Sequence, residues 1–140
     1  MTLGAVPNAY EVRWSSDGVS VAYSVGAHRQ DDPNAGIWVT DFKTAPRHVF
    51  RGWVSAYMVD VNDSIYALKG KNDLQGELWK MKWDGSGMTR LPGTIPLLYN
   101  NTYFHSDTTN QSDVSPDGRH IIYQTQPVLQ ENIGIIDNLN

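Results

Sequence analysis

Short runs in which apolar and polar residues alternate recur along this chain. The clearest covers residues 19–25, where valine and tyrosine alternate with serine and alanine. A period of two residues is typical of β-strands, because successive side chains point to opposite faces. In residues 78–83, tryptophan and methionine occupy one predicted face and lysine the other. No segment carries an apolar stripe at helical spacing, so the pattern predicts an all-β protein.

Pairs of predicted strands are joined by a turn that contains Asp-Gly. It occurs as SSDG at residues 15–18 and as SPDG at 115–118, and a degenerate copy, NDS, occupies 62–64. Glycine takes the positive φ that closes such a turn, and aspartate hydrogen-bonds to the nearby backbone. We therefore predict three hairpins. The aspartates that recur there, Asp17, Asp63 and Asp117, are interpreted as turn formers and not as catalytic carboxylates.

The strands and turns form three similar units. The predicted strands are 11–14, 19–25, 37–39 and 48–50 in the first unit, 57–61, 65–68, 78–83 and 88–91 in the second, and 112–115, 121–124 and 133–137 in the third. Matched points lie roughly 40 to 55 residues apart, the spacing of four-stranded propeller blades. The fold prediction is three four-stranded antiparallel β-propeller blades, at approximately 11–52, 56–93 and 111–140. A generic antiparallel sandwich is the alternative.

The units resemble blades of a known family. The motif Trp-Ser-x-Asp-Gly followed by an apolar-aromatic strand, and the run LWKMKWDGSGMTRL at residues 78–91, look like TolB-type propeller blades. Similar blades occur in the propeller domains of prolyl oligopeptidases and dipeptidyl peptidases. The resemblance implies a fold more than a function, since such blades serve as scaffolds, lids, receptors and a few lyases. Four tryptophans fall on predicted strand positions, and a large aromatic side chain buries substantial area. We therefore predict that they pack between blades: Trp14, Trp38, Trp79 and Trp83.

Three blades do not close a ring, because propellers need roughly 4 to 8. The third unit lacks a fourth strand, and residues 2–6 have no blade of their own. We expect one domain, residues 1–140, that forms half of a six-bladed propeller and is completed by homodimerisation. In this hypothesis strand 2–6 pairs with residues 133–137 of the partner, so that no sheet edge is left open. A fragment of a longer propeller is the competing interpretation.

Composition and charge exclude several classes of function. The 140 residues have a net charge of -4 and no run of Lys or Arg, so we expect no nucleic-acid or anionic-membrane partner. No apolar run approaches a membrane span. The absence of cysteine excludes disulfides, thiol catalysis and Cys-zinc sites. No signal peptide is recognised at the N-terminus, and the compartment stays open between cytoplasm and periplasm.

All the long predicted loops fall on one face of the ring: residues 26–36, 70–76, 93–111 and 124–132. Because loops on a rigid scaffold commonly carry function, this long-loop face is where we predict a protein or small-molecule ligand. The candidate ligand-binding residues there are His28, Asp31, Asp32, Tyr99, Tyr103, His105 and Asp107.

The chemistry of these candidates is weakly specified. His28 with Asp31 and Asp32 has the side-chain types of a metal site, but such loop residues are usually only solvated. Residues 105–107, His-Ser-Asp, have the residue types of a catalytic triad, but a triad is recognised by its geometry and not by adjacency in the sequence. Tyr99 and Tyr103 can stack on a sugar or peptide, or pack their own loop. We therefore predict no catalytic residue, metal or cofactor, and a non-enzymatic binding or scaffold protein; a propeller lyase or hydrolase is the alternative.

Overall fold

The structure, a computed structural model, describes residues 9–26, 32–70, 75–93, 95–96, 112–125 and 132–136. Within these ranges the regular secondary structure is β-strand throughout, and every strand pairing is antiparallel. The strands form three separate sheets that follow one another along the chain. The all-β, antiparallel prediction is therefore confirmed.

The first sheet contains four strands in sequence order. They are β1 (Ala9–Trp14), β2 (Val21–Val25), β3 (Gly36–Thr40) and β4 (Arg47–Arg51). Gly36 has a φ of 136° and lies so close to the backbone of Phe50 that any side chain would strike the Phe50 carbonyl oxygen. Only glycine fits at the start of β3, where the backbones of β3 and β4 approach closely at the loop end of the sheet.

The second sheet has five strands: β5 (Val54–Val59), β6 (Ser64–Gly70), β7 (Gln75–Lys82), β8 (Thr89–Arg90) and β9 (Ile95–Pro96). Strands β6 and β7 extend beyond their predicted ends, so residues 70, 75 and 76 of the loop predicted at 70–76 belong to strands. Residues 71–74 lie outside the described residues. The prediction also missed β9, inside the segment 93–111 that was expected to be a loop. Because β8 pairs only with Trp79 and Lys80, the start of β7 is left to pair with β9.

The third sheet has three strands, β10 (Ser112–Val114), β11 (Ile121–Thr125) and β12 (Asn132–Ile136). Its register repeats that of the first sheet: Val114 pairs with Ile121 as Trp14 pairs with Val21. The turns between these strands also agree, since Gly18 and Gly118 have φ values of 69° and 68°. The predicted glycine geometry of both turns is confirmed.

The main core lies between the first and second sheets. It is built from buried residues of both: Ala22, Ile37, Val39, Val49 and Phe50 from the first, and Val54, Tyr57, Ile65, Ala67 and Met81 from the second. Full burial of one such large apolar side chain stabilises a fold by about 1.5–3 kcal/mol. The Tyr57 hydroxyl donates a hydrogen bond to the Ala22 carbonyl oxygen at 3.0 Å, so a polar contact also joins the two sheets.

The four tryptophans that were predicted to pack between blades occupy different environments. Trp79 and Trp83 pack against the core between the sheets, as predicted, and Trp79 lies 6.3 Å from Phe50 between ring centroids. Trp38 packs on the opposite face of the first sheet. Trp14 is 61% exposed in the single chain, so its predicted role between blades stays a prediction. It is exposed because the face of the first sheet that carries Trp14 contacts no other sheet among the described residues.

Candidate functional site

Of the seven predicted ligand-binding residues, the described structure includes Asp32. Its Oδ1 accepts a hydrogen bond from the backbone N–H of Asn34 at 2.8 Å, and its carbonyl oxygen accepts one from Ala35 at 3.1 Å. These bonds form a local turn, so the Asp32 carboxylate orients the loop that enters β3. The others, His28, Asp31, Tyr99, Tyr103, His105 and Asp107, lie outside the described residues, as does strand 2–6.

An aromatic pair anchors the loop that carries Asp32. The rings of Trp38 and His48 stack with centroids 4.2 Å apart. Trp38 Nε1 donates to the Asn34 carbonyl oxygen at 2.9 Å, and His48 Nε2 lies 2.9 Å from the Ala35 carbonyl oxygen. Burial lowers the pKa of His48, and the nearby charge of Arg51 acts in the same direction. Since the neutral ring is favoured, His48 is suited to donating one N–H to Ala35 and holding the base of the loop.

The first strands of the three sheets lie side by side. Strand β10 lies next to β5, and the Tyr57 side chain of β5 hydrogen-bonds to the backbone of β1. The Tyr57 hydroxyl donates to the Glu11 carbonyl oxygen as well as to Ala22. Glu11 is a bulge residue with a φ of 42°. Partial desolvation of its carboxyl raises the Glu11 pKa, against the opposing charge of Arg13, although the residue as a whole is exposed. The pKa of Tyr57 is raised by burial.

This strand edge has limited chemistry of its own. Because the Tyr57 hydroxyl donates to backbone carbonyls, its proton is committed to joining the sheets. Glu11 and Arg13 offer one group of each charge, which suits a polar ligand better than a strongly charged one. In the portion of the chain that is described, no group of three or more histidine and acidic side chains is placed to hold a metal ion.

The tight turns that follow the first strand of each sheet lie at the opposite end of the sheets from the β2–β3 loop. In the turn between β5 and β6, the buried carboxylate of Asp60 accepts bonds from the backbone N–H groups of Asn62 and Ser64, both at 2.9 Å, and from the Tyr66 hydroxyl at 3.1 Å. Gly118, in the turn of the third sheet, lies against Asp60 and Tyr66: a Cβ at Gly118 would be 3.4 Å from Asp60 Oδ2. The turns of the second and third sheets are therefore in contact.

Asp63 links the second sheet to the first. Its Oδ1 accepts the backbone N–H of Ser16 at 2.8 Å, and its Oδ2 accepts the Ser16 hydroxyl at 2.7 Å. The local role predicted for Asp17 and Asp117 is confirmed, since each accepts a bond from the serine two residues before it. For Asp63 the local role is wrong, because its carboxylate crosses to another sheet.

Sequence reasoning missed Asp60, Glu11 and Tyr57. A signal existed for Asp60, because it occupies the turn position that serine holds in the other two units. None existed for Glu11 and Tyr57: their contact depends on how two sheets stack.

Comparisons with known proteins support the fold. No known protein-family model matches the chain, and no curated protein sequence matches it. Among solved structures, the crystal structure of TolB from Acinetobacter baumannii aligns with a TM-score of 0.59 and 15% identity, covering 92% of this chain and 29% of that one. A protein assigned as TolB from Agrobacterium tumefaciens aligns with a TM-score of 0.58 and 16% identity, covering 92% of this chain and 45% of that one.

The chain thus has a TolB-like, propeller-type fold. At 15–16% identity the likeness shows the fold alone. This chain spans less than half the length of either TolB structure. No helix in the described part of the chain is long and apolar enough to cross a membrane.

Proposed function

We propose that this chain is a non-enzymatic binding or scaffold module, built as half of a six-bladed β-propeller and completed by a second copy of itself. The whole chain, residues 1–140, acts as one domain. Its blades are residues 11–52, 56–93 and 111–140, and strand 2–6 completes the last blade of the partner.

One observation carries the proposal: the three sheets follow one another in one strand order and contact one another in sequence. The first and second sheets share the core, and Gly118 of the third sheet meets Asp60 of the second. In the proposed dimer, the first and third sheets of each chain are the ends of this series. Ring closure by a symmetric partner would cover both ends.

The ligand surface in this proposal is the long-loop face. Its support is the anchored base of the β2–β3 loop, where Trp38 and His48 stack and bind the backbone at residues 34 and 35. A rigid base can present the candidate residues of that loop to a protein or small-molecule ligand. We propose that the other candidates line the same face.

A second candidate, a segment of a longer propeller, is favoured by the alignment lengths. The alignments cover 92% of this chain but 29% and 45% of the two TolB structures. In that case the missing blades would come from the same polypeptide, and an isolated chain of 140 residues would not form a defined dimer.

Molar mass separates these candidates. Light scattering during size-exclusion chromatography should give twice the monomer mass across a dilution series. Deletion of residues 2–6 should shift the mass to that of the monomer. A monodisperse monomer for the intact sequence would contradict completion by a second copy.

A further inference from the structure

The first sheet has an apolar face directed away from the second sheet. Its centre is the buried cluster Val21, Tyr23 and Val25, against which Trp38 and Phe42 pack. All these residues belong to the first sheet or its loops. Val12 and Trp14 pair across the strands with Tyr23 and Val21, so they lie on this same face, and they are 57% and 61% exposed. We call this surface, with Val12, Trp14, Trp38 and Phe42 at its border, the outer face.

Strand register identifies the counterpart of the outer face in the second sheet. Val12 pairs with Tyr23 as Tyr57 pairs with Ala67. Tyr23 then pairs with Trp38 as Ala67 pairs with Trp79. The outer face is therefore built at the positions that Tyr57, Ala67 and Trp79 occupy.

In the second sheet those positions are covered by the first sheet. Tyr57 is buried and donates to the Ala22 carbonyl oxygen at 3.0 Å, and the Trp79 ring lies 6.3 Å from Phe50. The covering surface contains Ala22, Ile37 and Val39. An apolar face of this construction is thus one that receives the preceding sheet in a series.

The third sheet has residues suited to act as that cover. Its register places Ile122 opposite Ile135, as Ala22 lies opposite Val39, and Ile133 opposite Gln124, as Ile37 lies opposite Ser24. Isoleucine therefore stands at each of the three covering positions.

In the proposed dimer, the third sheet that covers this face comes from the second copy. Within one chain, the second sheet turns its Ala67 side to the first sheet, while Tyr66, on its opposite face, meets Gly118 of the third. The first and third sheets of one chain are thus on opposite sides of the second. We propose that the outer face of the first sheet is the docking surface for the third sheet of a second copy, with Val12 and Trp14 buried in the contact. This inference rests on the proposed function.

A charge placed on the outer face tests this assignment. Val12→Glu should weaken the dimer by about tenfold or more, because a carboxylate would be buried against isoleucine. The matched control is Val61→Glu, since Val61 is 60% exposed but lies in the turn between β5 and β6. That control should leave the dimer unchanged. Dissociation constants come from light scattering or sedimentation across a dilution series, with circular dichroism to check that each variant folds.

A milder variant covers the case in which Val12→Glu does not fold. Trp14→Ser shortens an exposed side chain and should also weaken the dimer, and in the unsubstituted chain dimer formation should shift tryptophan emission to shorter wavelength. A dimer that tolerates both outer-face substitutions as well as Val61→Glu would overturn the docking surface while leaving completion by a second copy intact. A chain that stays monomeric without substitution would overturn both.

Discussion

The turn after β1 and the turn after β5 occupy the same place in their sheets but do different work. In the first, Ser15 and Asp17 bond within the turn: Asp17 Oδ1 accepts the Ser15 hydroxyl at 2.6 Å and the Val19 N–H at 3.0 Å. In the second, Asp60 is buried and bonds to Tyr66, while Asp63 reaches Ser16 of the first turn.

Backbone bonds make the comparison direct. Ser15 N–H bonds to the Ser20 carbonyl, and Asp60 N–H bonds to the Ser64 carbonyl, so the second turn is one residue shorter. Asp63, with a φ of 58°, takes the place of Gly18. The copy that departs most from the repeat motif is therefore the one that contacts both neighbouring sheets. A regular turn, as at residues 15–18 and 115–118, is formed by local bonds. A turn that contacts two other sheets needs side chains that reach them.

The largest difference between these turns should appear at their first residue. Asp60→Ala should lower the free energy of unfolding by about 3 kcal/mol, because it leaves two backbone N–H groups and the buried Tyr66 hydroxyl without an acceptor. Ser15→Ala, at the equivalent position, should cost about 1 kcal/mol. Urea unfolding measures both, and equal costs would show that Asp60 is not the centre of a buried network.

The glycines of the regular turns test the contact with the third sheet. Asparagine tolerates positive φ, so Gly18→Asn should be nearly neutral, since a Cβ there would meet nothing within 4 Å. Gly118→Asn has the same backbone geometry, but its Cβ would already be in van der Waals contact with Asp60 and Tyr66, at 3.4 and 3.8 Å, so the amide beyond it needs space that this contact occupies. We expect it to destabilise the chain by about 2 kcal/mol in urea or thermal unfolding. Similar stabilities for the two variants would argue against the contact.

The bond between the first and second turns should contribute less, because it is partly exposed to solvent. Asp63→Gly keeps the positive φ without strain and removes the side chain with its carboxylate, and we expect a loss below about 1 kcal/mol. In a double-mutant cycle with Ser16→Ala, the coupling should be about 0.5–1 kcal/mol. Additive effects of the two substitutions would mean that the Ser16–Asp63 bond is not formed in solution.

The regular turns also predict a dependence on pH. Hydrogen bonds from the Ser15 hydroxyl and the Val19 N–H lower the pKa of Asp17, and those from the Ser115 hydroxyl and the Arg119 N–H lower that of Asp117. A folded-state pKa below the unfolded value gives stability that is present above about pH 4 and lost as pH falls through the folded value.

Urea unfolding at a series of acidic pH values should therefore show decreasing stability below about pH 4. In the double variant Asp17→Asn, Asp117→Asn the decrease should be shallower, because two of the titrating carboxylates are gone. An unchanged pH profile would show that these two turns do not contribute. This is the smallest of the expected effects, since both carboxylates are exposed.

Much of the fold could be predicted because its signals are local. The alternation in residues 78–83 placed Trp79 and Met81 on one face, and both pack in the core. Strand β9 was missed because the motif Ile95–Pro96 is too short to show periodicity and forms only where β7 lacks another partner. For the candidate site, Asp32 is a turn residue in the described structure, and the ligand role of the remaining candidates stays a prediction.

By itself the sequence determined every described strand except β9, the order of those strands and the glycine positions of the turns, because side-chain alternation and backbone φ preferences act over a few residues. Tertiary structure alone decided which turn joins the sheets and which aromatic faces stay open. The Ser16–Asp63 bond spans 47 residues of sequence, and the exposure of Trp14 depends on a sheet that the described chain does not place beside it. Contacts of this kind follow from how sheets stack, for which no local pattern exists.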